Sequence, residues 1–111
     1  MGKPVKGDVV VIPFPFTDLS GSSRRPALVV ADLNCSDDII LTQITTHRRF
    51  DGYSISLTND NFQSGGLDHA CNIRPNRLFT SDSKIVKRVA GRLLQEKTNE
   101  VIDKIIQIVK S

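Results

Sequence analysis

Short runs of apolar and β-branched residues, each bounded by glycine, proline or polar residues, dominate the first half of the chain. GDVVVIP at 7–13 and PALVVA at 26–31 predict two strands, because both runs are short and lie between breaker residues. IILTQITT at 39–46 alternates apolar and polar residues after a polar turn, which predicts a third strand with Thr and Gln on one face. A fourth, shorter strand is predicted at 53–57.

The second half is less regular. NDNFQSGG at 59–66 is rich in breakers and predicts a loop, with Gly65-Gly66 as a tight turn. Segment 70–79 predicts a weaker strand, since Pro75 interrupts it and indicates an edge position or a bulge, and 85–93 mixes apolar with basic residues. From about Gln95 onward, apolar residues recur at helical spacing and predict an amphipathic C-terminal helix: Val101, Ile102, Ile105, Ile106, Ile108 and Val109.

These elements predict a mainly β protein closed by one helix. Several short strands with a turn every ten or so residues favour a small, strongly bent antiparallel sheet or a partly open barrel, with the helix over its open end. At 111 residues the chain is expected to form a single domain over 1–111. A sheet this small leaves unpaired edges, which a homodimer two-fold would pair.

Composition narrows the class of protein. Thirty-nine per cent hydrophobic and 24 per cent charged residues are ordinary for a folded protein. The sequence shows no signal peptide and no run long enough to cross a bilayer, so we expect a cytoplasmic location. The two cysteines, Cys35 and Cys71, have no CxxC spacing and are expected to be reduced packing residues, and no zinc site is predicted.

Positive charge is concentrated in one segment, although the net charge is only +3. Between Cys71 and Arg92 a single acid, Asp82, faces six bases: Arg74, Arg77, Lys84, Lys87, Arg88 and Arg92. This basic segment is either a solvated face or a surface that follows a phosphate backbone, and the sequence leaves both open.

Arg25 stands directly before Pro26 at the start of the second strand. Proline disfavours the helical region for the residue before it, so the Arg25 backbone is expected to be extended and its side chain to have a defined direction. The alternative is that a long loop needs a polar exit and arginine is merely soluble there.

The sequence resembles the MazF/PemK (Kid) toxins of type II toxin–antitoxin modules. The resemblance rests on GDVVVIPFPF, a Gly/Ser loop, RRPALVV, and QITT at the end of the third strand, and NIRPNRLFTSDSKIVKRVAGRLLQEK falls in the order typical of PemK-like sequences. It implies a small SH3-like barrel of the CcdB/PemK type, a homodimer, and cleavage of single-stranded RNA without a metal. It also implies a cognate antitoxin that inhibits the toxin.

The resemblance assigns two catalytic residues. The arginine of the family's RP motif falls on Arg25, and its catalytic threonine falls on Thr45. A guanidinium donates two parallel hydrogen bonds to phosphoryl oxygens, and a threonine hydroxyl holds a phosphate oxygen or positions the 2′-hydroxyl. No cofactor and no metal are expected.

Further residues are expected to contact RNA around these two. They are Ser20, Ser22, Arg24, Thr46, His47, Arg48, Arg49 and Arg77. The alternative for Arg48 and Arg49 is ordinary surface charge, and for the serines ordinary loop composition. His47 is also a candidate proton carrier, with an ordinary loop histidine as the alternative. Phe14 and Phe16 are expected in the core rather than stacked on bases.

The chain also departs from the family's pattern. The glutamate that some members carry past the Gly-Ser turn is replaced by SGSS, and RLFT stands in place of the Gln-x-Arg-Thr element. The general acid and base therefore have no assignment. The alternative function is a non-catalytic barrel that binds nucleic acid or a protein partner. A CcdB-like gyrase poison is disfavoured, since the chain has no tryptophan.

Overall fold

The computed structural model describes residues 2–13, 24–47 and 51–111. Within these ranges seven antiparallel strands form one curled, half-barrel sheet, and a single α-helix follows at the C-terminus. The strands are β1 (Asp8–Pro13), β2 (Arg24–Asp32), β3 (Asp38–Thr45), β4 (Ile55–Leu57), β5 (Phe62–Gly65), β6 (Cys71–Asp82) and β7 (Arg88–Leu93), and the helix is α1 (Gln95–Lys110). Short 3₁₀ turns occupy Asn59–Asn61 and Ser83–Ile85.

The strand order across the sheet is β4-β6-β3-β2-β1-β7-β5. Consecutive strands β1, β2 and β3 are neighbours, while β6 returns to the outer side of β3 and β7 to the outer side of β1. The predicted mainly β fold with a C-terminal helix is confirmed.

Two apolar clusters lie on opposite faces of the sheet. Successive strand residues point to opposite faces, and alternate residues of one strand belong to different clusters. We call them the helix-side cluster and the opposite-face cluster. The helix-side cluster contains Val9, Leu28, Ile44, Ile55, Leu57, Cys71, Ile73, Leu93 and Val101. The opposite-face cluster contains Val10, Ile12, Ala27, Val29, Ile39 and Leu41.

The helix α1 lies over the helix-side cluster. Val101 is fully buried in that cluster, and Ile105 packs against it. The other side of α1 is more exposed: Ile106 and Val109 retain 48% and 72% of their surface. The helix therefore covers one face of the sheet and leaves the opposite face to other residues.

Strand β5 was missed by the sequence, which predicted a loop and a Gly65-Gly66 turn. Gly65 instead ends β5 and pairs with Gly91 of β7. The backbones approach so closely that a Cβ on Gly65 would lie 2.2 Å from the Ala90 carbonyl oxygen, and one on Gly91 would lie 2.5 Å from the Ser64 oxygen. Glycine here permits a close approach between two strands, with Gly65 at φ +70°.

The expected disturbance at Pro75 is a bulge in β6. The β3–β6 register passes from Thr42 opposite Leu78 to Gln43 opposite Arg74, so three residues of β6 have no partner in β3. The Thr42 hydroxyl donates to the Arg74 carbonyl oxygen, and it lies 3.4 Å from the Arg77 carbonyl oxygen. The buried Thr42 side chain therefore contacts the backbone at both ends of the bulge.

The two cysteines lie in different surroundings. Cys71 is buried in the helix-side cluster, as expected of a packing residue. The same expectation for Cys35 is wrong, because Cys35 is exposed in the turn between β2 and β3, where a small polar turn leaves nothing to pack on it. Both thiols are free.

Candidate active site

Arg25 and Thr45, the two predicted catalytic residues, lie on the same face of neighbouring strands. Arg25 alternates with Ala27 and Val29, and Thr45 alternates with Gln43 and Leu41, so both side chains belong to the face of the opposite-face cluster. Ala27 pairs with Gln43, and that register continued by two residues brings Arg25 to the level of Thr45.

Arg25 is held by its strand partner and by its partial burial. It pairs with Ile12 of β1, and its side chain is half-buried. Its Nε is buried and has no hydrogen-bond partner among the described residues. A buried guanidinium nitrogen is rarely left without an acceptor, so we expect one from outside the described residues, from water or from a ligand.

Arg24, predicted to bind RNA, is separated from Arg25 by the strand itself. Successive strand residues point to opposite faces, so Arg24 is directed away from the face of Arg25 and Thr45. Arg24 is exposed and pairs with Pro13. The adjacent arginines thus serve two different surfaces.

Thr45 ends β3 and is buried, with 7% of its surface exposed. Its hydroxyl oxygen accepts the backbone N–H of His47 at 3.1 Å, which fixes the chain as it leaves the strand. Within the described ranges the hydroxyl proton has no acceptor. Thr46 and His47 are exposed immediately beyond the strand, and the Asn72 amide lies 3.5 Å from the His47 carbonyl oxygen.

Arg74 belongs to the same face, although it was assigned only to the basic segment. It pairs with Gln43 of β3, and Asn72, two residues earlier, pairs with Thr45. Directly opposed residues of an antiparallel pair share a face, so Arg74 is the diagonal neighbour of Thr45 on the adjacent strand. Arg74 has only 9% of its surface exposed, and its Nε is also without a partner in the described part of the chain.

Asp51 binds Arg74 from the connection between β3 and β4. Its Oδ2 lies 3.1 Å from Arg74 Nη2, and its Oδ1 accepts the backbone N–H groups of Tyr53 at 3.0 Å and Ser54 at 3.2 Å. The Tyr53 N–H lowers the pKa of the Asp51 carboxyl most, and Ser54 and Arg74 lower it further against an opposing effect of desolvation. Sequence reasoning missed Asp51, Gln43, Asn72 and the role of Arg74, since only the bulged register of β6 reveals which residues meet.

The basic segment does not form one continuous positive surface. Arg74 pairs with Asp51, Arg92 with Asp8 at 3.2 Å, and Lys84 with Asp37 at 3.7 Å. The other three bases, Arg77, Lys87 and Arg88, are exposed and make no ion pair with the residues that the structure describes. Arg77 stands in the bulge of β6, three residues beyond Arg74.

Several predicted contacts lie outside the described residues. These are Ser20, Ser22, Arg48 and Arg49, together with the core candidates Phe14 and Phe16. In 2–13, 24–47 and 51–111, no group of three His, Cys, Asp or Glu side chains is placed to hold a metal ion.

Comparison with known proteins identifies the family. The family model described as PemK-like, MazF-like toxin of type II toxin–antitoxin system matches residues 5–109. The chain belongs to this PemK-like, MazF-like toxin family. No curated protein sequence matches it.

Solved structures share the PemK-like fold at low sequence identity. An endoribonuclease from Mycobacterial species is similar with a TM-score of 0.74 and 15% identity, over 99% of this chain and 94% of that one. A MazE–MazF complex from Deinococcus radiodurans gives a TM-score of 0.75 and 15% identity, over 98% and 97%. A mycobacterial endoribonuclease bound to its cognate antitoxin gives 0.71 and 16%, over 96% and 95%.

No helix in the described part of this family member is long and apolar enough to cross a membrane.

Proposed function

We propose that this protein is the toxin of a type II toxin–antitoxin module and cuts single-stranded RNA, including mRNA, with sequence selectivity and without a metal. The family supports the toxin role, and similar structures described as endoribonucleases support the activity. The observation that carries the proposal is the common face of Arg25 and Thr45, where the Arg25 Nε has no hydrogen-bond partner among the described residues.

In the proposed reaction the RNA supplies its own nucleophile. The 2′-hydroxyl oxygen attacks the adjacent phosphorus, the bond from phosphorus to the 5′-oxygen breaks, and the 2′-hydroxyl proton is balanced by one delivered to the leaving oxygen. The products are a 2′,3′-cyclic phosphate and a 5′-hydroxyl. The phosphoryl oxygens gain negative charge on the way, and this is where positioned donors have their largest effect.

Arg25 is proposed to bind the phosphoryl oxygens and Thr45 to hold a phosphate oxygen or the 2′-hydroxyl. Thr45 suits this role because its branched side chain is stiff at χ1 and the His47 N–H orients its oxygen. His47, exposed two residues away, is the candidate proton carrier. Ser20, Ser22, Thr46, Arg48, Arg49 and Arg77 remain predicted RNA contacts, whereas Arg24 is directed to the other face of the sheet.

A cognate antitoxin and a second copy of this chain are the proposed protein partners. Toxins of this fold have been solved with antitoxins bound. An acidic antitoxin segment would pair with the bases that make no ion pair with described residues, Arg77, Lys87 and Arg88, so its affinity should fall as salt rises. Cellular mRNA as the substrate would place the toxin in the cytoplasm.

The test is incubation of the purified protein with a mixed-sequence single-stranded RNA in EDTA. We expect fragments that carry 2′,3′-cyclic phosphate ends, and no cleavage of the matching 2′-deoxy oligonucleotides. Intact RNA across many sequences would contradict the proposal. RNA binding without cleavage, little changed by Arg25→Ala, would instead support the non-catalytic barrel.

A further inference from the structure

Four ion pairs join described residues, and the pair of Asp51 and Arg74 is the least exposed of them. The Arg74 side chain is 10% exposed and that of Asp51 28% exposed, whereas the values for Lys84 and Asp37 are 77% and 65%. Exposed pairs contribute little, but a buried guanidinium depends on its counter-ion. Loss of the Asp51 carboxylate would therefore leave the buried Arg74 guanidinium without its counter-ion.

The carboxylate of Asp51 is fixed at both oxygens. Oδ1 accepts two backbone N–H groups within its own turn and also lies 3.4 Å from the Ser54 hydroxyl, while Oδ2 faces Arg74 Nη2. A rigidly held carboxylate fixes the guanidinium that binds it, since a charge-assisted hydrogen bond is directional. Asp51 thus determines how Arg74 lies against the sheet.

Arg74 is held on the far side as well. Its carbonyl oxygen accepts the hydroxyl of the buried Thr42, and its backbone pairs with Gln43. The main chain and one terminal nitrogen of Arg74 are thus fixed. Its Nε is buried on the face that carries Arg25 and Thr45 and has no hydrogen-bond partner in the described ranges. A preorganised guanidinium that keeps N–H donors without an acceptor among the described residues suits a ligand acceptor such as a phosphate oxygen.

We propose that Asp51 is a positioning residue for RNA cleavage, which acts by holding the Arg74 guanidinium beside Thr45 so that Arg74 binds a substrate phosphate. The inference rests on the proposed function, and Asp51 itself does not touch the RNA. It adds a second guanidinium to the site and gives the connection between β3 and β4 a direct influence on turnover.

The experiment compares Asp51→Asn, Asp51→Glu, Arg74→Lys and the double variant Asp51→Asn/Arg74→Lys with the wild type. Asparagine keeps an oxygen for the Tyr53 and Ser54 N–H groups but removes the charge that Arg74 binds. We expect kcat of Asp51→Asn to fall about 10- to 100-fold, as for other small misplacements of reacting groups. KM and affinity for an uncleavable 2′-deoxy oligonucleotide should change less, and Asp51→Glu should recover part of kcat.

The double variant separates positioning from a general structural effect. If Asp51 acts through Arg74, the double variant should be no slower than the slower single variant, because the two residues act as one unit. Asp37→Asn, which removes the exposed ion pair with Lys84, is the matched control and should leave kcat unchanged.

Three outcomes would overturn the inference. They are an Asp51→Asn variant with wild-type kcat, losses that multiply in the double variant, and a loss that matches the fraction of unfolded protein in a thermal melt. In each case an active wild type would leave the proposed function intact. A wild type that cuts no RNA would overturn both.

Discussion

The two faces of the sheet differ in where they carry polar side chains. The face under α1 is closed by aliphatic side chains and one buried thiol. The other face begins with an aliphatic cluster at Ile39 and Leu41 but ends, along the same strand, in Thr45 beside the buried Arg74. Strand β3 therefore packs apolar side chains on both faces and places polar groups on one face at its end, so substitutions under α1 and at that polar end should separate stability from activity.

The largest expected effect is on the helix side. Leu28→Ala removes a fully buried side chain from the cluster that α1 covers. We expect the free energy of unfolding to fall by about 3 kcal/mol, within the usual range for a buried leucine. Urea unfolding measures it. The rate of RNA cleavage per folded molecule should be unchanged, and a large change in that rate would show that the two faces are not independent.

On the opposite face, Arg25→Lys should reverse this pattern. Lysine keeps the charge but cannot donate two parallel hydrogen bonds, so we expect kcat to fall by about 100-fold while the melting temperature stays within a few degrees. Turnover and a thermal melt on the same preparation decide the matter. Near-normal turnover would mean that charge alone is needed at this position, and the bidentate role of Arg25 would be wrong.

A smaller effect is expected at Thr45. Thr45→Val keeps the shape and removes the hydroxyl that accepts the His47 N–H. Valine cannot donate the proposed hydrogen bond to a phosphate oxygen. A hydrogen bond to a charged group contributes about 1.5 kcal/mol, so kcat should fall about tenfold. Thr45→Ser is the control and should retain most activity. Equal rates for valine and threonine would remove Thr45 from the mechanism.

The sequence predicted the elements with a strong period, and its motif marks Arg25 and Thr45, which the structure brings to one face. Helix α1 begins at Gln95 as expected, and the first three strands differ from prediction by one or two residues at their ends. The common face of Arg25 and Thr45 follows from simple alternation, once β2 and β3 are known to pair. These features are local, so local patterns suffice.

The missed features depend on contacts between distant segments. Strand β5 was hidden because Gly65 serves a close approach to Gly91, which only the pairing with β7 reveals. Arg74 was read as one charge in a basic segment because its partner, Asp51, lies 23 positions away. The bulge at Pro75 was expected, but the number of inserted residues, which sets what faces Gln43, has no local signal.

The smallest expected effect concerns Asp51 and pH. Its hydrogen bonds from Tyr53 and Ser54 and its ion pair lower the pKa of the carboxyl below its ordinary value of 3.8 in the folded protein. A group whose pKa is lowered by folding stabilises the folded state above its unfolded pKa and loses that contribution as pH falls through the folded pKa.

Asp51→Asn should therefore melt slightly below the wild type at pH 7, and the difference in melting temperature should close in acid. Thermal melts from pH 7 to pH 2.5 measure the gap, with Asp37→Asn as the control that shows none. A gap that widens in acid would show that the Asp51 carboxyl is not held in its charged form by these contacts.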